Sequence, residues 1–252
     1  MTVATYIADS PVTYWRRRRF AMAQPSKSPS TPKVAQATPD AADASPRGPR
    51  WERRKEARPQ ELLAAALDIF VERGFAAARL EDVAARAGVS KGTLYLYFDS
   101  KESLFKSVVR TNMLPLLEEA EGMVDRYEGH SADLLRDLIL GWWASVADTK
   151  LNGISKLMMA ESGNFPELAQ FYHAEVITRC NATIVRMLER GIRRGEFRAI
   201  DAEHMKRVIV APVLMLMLWS QSFGPCAIEP VEPGAYLDNF IDLCLNGLLT
   251  KP

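Results

Sequence analysis

From Pro59 onward, apolar residues recur at helical spacing along most of the chain and nowhere alternate as a half-buried strand would. Leu62, Leu63, Ala66, Leu67 and Phe70 form one stripe, which predicts a helix over 59–73 that Pro59 can enter early and Gly74 stops. Val83, Ala84 and Ala87 mark the buried side of a short helix ending at Gly88. Leu94 and Phe98, four apart, anchor a second short helix. The stretch 101–127 reads as one long helix with Leu104, Phe105, Val108, Leu116 and Leu117 inward and Pro115 favouring a bend. Further helices are predicted over about 131–148, 151–162, 166–194, 202–223 and 234–249, with breaks at Gly195, Gly224-Pro225, Pro230 and Pro233. The fold class is therefore all-α.

Two short helices joined at Gly88 read as a helix-turn-helix. Ser90 is placed to cap the second helix, accepting from the backbone N–H of Gly92 or Thr93, while Val89 and Leu94 have the spacing of a hydrophobic staple. With Leu94 and Phe98 inward, Lys91, Gly92, Thr93, Tyr95 and Tyr97 turn outward. Those residue types suit DNA: a lysine neutralises phosphate, hydroxyls bond phosphate oxygens or base edges, and glycine admits close approach of the backbone.

The stretch from Pro59 to Phe105, with Gly74-Phe75, the run AARAGVSKGTLYLYF and the continuation DSKESLF, closely resembles the TetR family of bacterial transcriptional repressors. The resemblance implies a three-helix DNA-binding head followed by a helical ligand-binding and dimerisation domain. It places Lys91, Gly92, Thr93, Tyr95, Tyr97 and Lys101 at the usual DNA contacts. Where the family has a threonine or serine opening its second helix, this chain has Arg79, whose guanidinium could reach a phosphate but supplies no short cap.

Composition refines this picture. The 252 residues carry a net charge of +1, yet 1–58 hold twelve Lys and Arg against five Asp and Glu, so the remainder is net acidic. Within 59–106 there are six basic and seven acidic residues, so attraction to DNA must come from the placement of charges. Residues 1–50, rich in Pro, Ser, Ala, Thr and Gln, read as a disordered tail, and the basic residues after it, Arg54 and Lys55 among them, precede the head as an arm able to reach phosphates or the minor groove. The expected domains are thus 1–50 as tail, 51–106 as DNA-binding head with its arm, and 107–252 as the helical remainder. Arg16 to Arg19 superficially resemble a twin-arginine signal, but no apolar core follows them, and Met22 is an alternative start. The longest apolar run, 208–219, is shorter than the roughly 20 residues that cross a bilayer, so no membrane span and a cytoplasmic location are expected.

Two further surfaces follow from the pattern. Trp142, Trp143, Met158, Met159, Phe165, Phe171, Tyr172 and Met187 are pliable or flat apolar side chains suited to a cavity for a small apolar or aromatic effector, although at helical spacing they serve equally well as ordinary core. Val208, Val213, Leu216 and Trp219 in one helix, with Leu237, Phe240, Ile241, Cys244 and Leu248 in the next, are unusually sticky. In the resembled family the last two helices pair with a second copy, which implies a homodimer on a palindromic operator with half-sites about 34–36 Å apart. No metal or other cofactor is expected, because three histidines and three cysteines are scattered, and no acid-base constellation points to an enzyme. The function expected is a ligand-responsive repressor; a helical protein-interaction module and an enzyme in the C-terminal helices are the alternatives.

Overall fold

The computed structural model describes the backbone of residues 50–229 and 231–250 and the side chains of 59–229 and 231–250. The tail expected over 1–50 lies outside the described residues but for the backbone of Arg50. The first helix, α1 (Arg50–Ala77), begins earlier than its apolar stripe, because Pro59 is accommodated inside it, and it carries a break at Gly74 (φ 78°, ψ 168°). Only glycine enters that conformation cheaply, which is why the predicted stop appears as a break within a longer helical span. There follow α2 (Leu80–Arg86), α3 (Lys91–Tyr95) and α4 (Lys101–Arg126), the last capped by Ser100, whose side chain accepts from the Ser103 N–H at 3.0 Å.

The remaining helices are α5 (Ser131–Trp142), α6 (Asn152–Glu161), α7 (Pro166–Tyr172), α8 (Thr178–Arg193), α9 (Ala202–Ser222) and α10 (Pro233–Leu248). Their bounds follow the predicted segments closely, with one difference: wider π-helical turns at Trp143–Ala147 and His173–Ile177 interrupt what the pattern read as continuous helix. Each π turn spans only five residues, too few for apolar periodicity to separate it from an α turn. The described residues include no strand, only an isolated antiparallel bridge between Phe197 and Leu249 that ties the end of α10 to the turn after α8.

Two apolar clusters organise the molecule. One joins Leu62, Phe70, Phe75, Leu94 and Phe105 of the head to Ile154, Leu157, Met158, Leu168 and Tyr172 of α6 and α7, so the head's core continues into the body. The other unites the far end of α4 with α5, α8, α9 and α10. Helix α4 contributes to both and spans them. No helix of the described residues is long and apolar enough to cross a membrane.

Candidate nucleic-acid interface and apolar cavity

The reader is built from α2 and α3. Val83 and Ala84 are buried on α2, and Gly88 takes a left-handed conformation (φ 66°) that turns the chain into α3. Ser90 caps α3 by accepting from the Thr93 N–H at 3.1 Å, and its hydroxyl lies 2.9 Å from that of Thr93. Leu94 is fully buried and Phe98 nearly so, which leaves Lys91, Gly92, Tyr95, Leu96 and Tyr97 exposed and Thr93 half-buried. The outward set inferred from spacing is therefore brought together on one surface. Leu96, which the spacing argument passed over, is 82% exposed, well above Tyr95 and Tyr97.

Charge on this surface is less free than a residue count suggests. Lys91 pairs with Glu81 and lies 5.7 Å from the centroid of the Tyr95 ring. That hydrogen bond holds the Glu81 carboxyl below the usual carboxylate range and lifts Lys91 above the ordinary lysine value. Arg73 bonds Asp82 at 2.5 Å, and Arg86 grips Glu72 through both terminal nitrogens at 2.7 and 3.0 Å. Arg79 stands at the start of α2 without a capping bond and is exposed. Arg54 and Lys55 lie within α1, but their side chains are outside the described residues.

Lys101 requires a correction. Resemblance placed it among the DNA contacts, yet its ammonium donates to the carbonyls of Phe75 (2.7 Å), Ala76 (3.1 Å) and Ala78 (3.1 Å) and lies 4.6 Å from the centroid of the Phe75 ring. An ammonium has three protons, and all three are engaged. The residue closes the end of α1 onto the start of α4.

An apolar cavity of about 240 Å³ lies in the body. Its walls include Met113, Leu116, Leu117 and Ala120 of α4, Leu138 and Trp142 of α5, Tyr172 of α7, Cys180 and Ile184 of α8, and Val210 and Val213 of α9. Both π turns contribute, through Ser145 and Val146 and through Val176 and Ile177. The wider turn redirects side chains that a regular helix would stack elsewhere, a device common at functional sites. The lining contains no Asp, Glu, Lys, Arg or His; its polar groups are Ser145, Ser155, Tyr172, Cys180, Asn181 and Thr183. Tyr172 and Ser155 share a buried hydroxyl pair at 3.0 Å in which either oxygen can donate, and burial pushes the Tyr172 phenol up. Burial likewise pushes the Cys180 thiol up to about 11.

Of the eight residues proposed for a cavity, Trp142, Met159 and Tyr172 line this one. The other five are corrected by packing. Trp143 and Met187 are buried in the second cluster, and Met158 in the first. Phe165 meets Phe75 edge-on at 4.8 Å, and Phe171 lies under Lys106 and Arg110. The α4 and α9 walls were missed, since nothing in an ordinary Leu-Leu-Ala stripe marks it as facing a void.

The nine sticky positions of α9 and α10 also divide. Val213, Leu216, Leu237, Ile241 and Leu248 are buried within this chain against α5 and α8, so they are unavailable to a partner. Val208 and Trp219 are exposed, and Phe240 and Cys244 half-buried. Met215 on α9, Phe223 at its C-cap and Leu243 on α10 are exposed too, so α9 and its C-cap present an outward stripe at helical spacing, 208, 215, 219 and 223.

Residues 62–108 match the family described as bacterial regulatory proteins, tetR family, and residues 128–225 match the tetracyclin repressor-like C-terminal domain, together more than half of the chain. The HTH-type transcriptional repressor KstR2 of Rhodococcus jostii is 26% identical over 196 residues, covering 77% of this chain and 92% of that protein. The HTH-type transcriptional regulator RutR of Escherichia coli is 50% identical over 54 residues, covering 21% of this chain and 26% of that one. Among solved structures, the transcriptional regulator FadR from Bacillus subtilis in complex with stearoyl-CoA shares the fold with a TM-score of 0.64 at 21% identity, covering 75% of this chain and 98% of that one.

Proposed function

The chain belongs to the TetR family of DNA-binding transcriptional regulators, and from that premise we propose that it is a homodimeric repressor released from a palindromic operator by a neutral, largely apolar effector. The observation that carries this reading is the double duty of α4. Its first turn is clamped to the head by Lys101, while Met113, Leu116, Leu117 and Ala120 further along form a wall of the cavity. A ligand that fits the cavity only when α4 tilts must move the reader.

The effector's chemistry follows from the walls. Burying a charge among side chains that cannot pair with it is costly, so the enclosed part of the ligand is uncharged. A ring or alkyl body fills the apolar space, and one hydroxyl or carbonyl bonds at Tyr172, Ser155 or Asn181. An amphiphile such as the stearoyl-CoA held by the FadR neighbour would seat only its acyl part, leaving its charged part beyond the exposed Met159 and Ile177. The outward stripe of Val208, Met215, Trp219 and Phe223 supplies the dimer contact. Two symmetric readers then address half-sites about 34–36 Å apart or a near multiple. Such a dimer works in the cytoplasm, on DNA near its own gene.

Effector and operator must affect each other reciprocally, by about 1–3 kcal/mol of coupling free energy. The test is a titration of intergenic DNA from the gene's neighbourhood with and without neutral ligands such as 1-decanol, and a parallel titration with decanoate. The expected result is release by the alcohol at lower concentration than by the carboxylate. Equal ligand affinity for free and operator-bound protein rejects the mechanism.

A further inference from the structure

Leu96 is an isolated anomaly on an otherwise polar surface. At 82% it is among the most exposed large apolar side chains of the described residues, and it is the C-cap of α3, one residue past the helix end. Its backbone is still helical (φ −70°, ψ −21°), so the direction of its side chain follows from helical geometry. With about 100° per residue and Leu94 pointing inward, Gly92 and Leu96 lie about 160° away on either side, close together on the outward pole. Gly92 has no side chain to hold the helix off a surface. Leu96 is therefore the bulkiest group at the point of closest approach, and Lys91, Thr93, Tyr95 and Tyr97 flank it.

The major groove of B-DNA is about 12 Å wide and admits a helix, and the C5 methyl of thymine is the apolar group on its base edges. An isobutyl group cannot bond a phosphate or a base nitrogen. We propose that Leu96 is a base-selecting residue of the reader, packing on the C5 methyl of one thymine in each operator half-site. The flanking residues hold the helix to the backbone and carry no such preference; Leu96 adds discrimination against bases that lack a methyl at that position. This inference rests on the assignment of α3 as the DNA-reading helix.

The experiment uses the full-length protein and the duplex it selects from a randomised pool at low salt. Each thymine in turn is replaced by deoxyuridine, which removes the methyl and leaves every hydrogen-bonding group in place. Affinities are read by fluorescence anisotropy for the wild type and for Leu96→Ala, whose fold is checked by circular dichroism because the residue packs little in the free protein. The expected result is one thymine per half-site whose demethylation weakens wild-type binding about fourfold, the worth of one buried methyl, and leaves Leu96→Ala unaffected. If no thymine shows an effect that Leu96→Ala removes, or if Leu96→Ala weakens all duplexes alike, the role of Leu96 is overturned while the reader stands. Failure to select any duplex overturns both.

Discussion

The reading head and the apolar cavity of the body are built in opposite ways from the same kind of element. In the head, a run of about twenty residues contains the buried anchors, the cap, the turn and the outward surface, so each part of the reader is held by near neighbours. In the body, the cavity is an absence among side chains from α4, α5, α6, α7, α8 and α9, and no single helix contains it. A surface for a rigid, polyanionic duplex benefits from local stiffness. A chamber walled by distant parts of the chain depends instead on how whole helices pack against one another.

The sharpest way to break this contrast is Leu94→Ala. The side chain is fully buried under α3, so its loss should cost about 2–5 kcal/mol and abolish specific DNA binding. Chemical denaturation should show the head melting first, and a single transition for the whole chain would mean that the shared core with α6 and α7 makes head and body one cooperative unit. Lys101→Met comes next. Three charge-assisted bonds to carbonyls are lost, so stability should fall by about 1.5–3 kcal/mol, with the salt dependence of DNA binding unchanged. A fall in the salt slope by one contact would return Lys101 to the phosphates.

In the body, Gly191→Ala would drive a methyl into the buried Phe197 ring, and overpacking of that kind costs about 1–3 kcal/mol. Thermal melting should shift while a head that still selects its duplex keeps its specificity. A smaller effect is expected from pH. Burial pushes Glu196 upward, but bonds from Ser131 and Arg194 outweigh it and hold the carboxyl at about 2. A carboxyl depressed on folding stabilises above its unfolded value near 4.5 and loses that contribution as pH falls toward about 2. Glu196→Gln should therefore flatten the acid limb of the stability profile between those values, as read by denaturation at stepped pH. Least perturbing is thiol labelling: exposed Cys226 should react with a disulfide reagent in the native protein, whereas Cys180, raised to about 11 in the cavity wall, should not. Rapid labelling of Cys180 would show the cavity to be open to water.

The apolar stripes placed nearly every helix, because a stripe several turns long has one arrangement that buries it. The reader was legible for a stronger reason: Gly88, Ser90, Leu94 and Phe98 are each required by the local backbone, so their spacing carries their orientation. The two π turns were not legible, nor were the walls they help to form. The same holds for the outer two helices, where Val213 and Trp219 look alike in sequence and differ only in which side of α9 meets α5 and α8.

Sequence alone determined the helices, the turn between α2 and α3 and the polar face of the reader, since these depend on residues within a few positions of one another. Only tertiary structure decided that Lys101 fastens the head to α4, that Met158, Phe165 and Met187 are packed while Met113 and Leu117 border a void, and that Leu237 faces inward while Leu243 faces out. The physical reason is that hydrophobicity specifies that a side chain leaves water and says nothing about which neighbour, or which cavity, receives it.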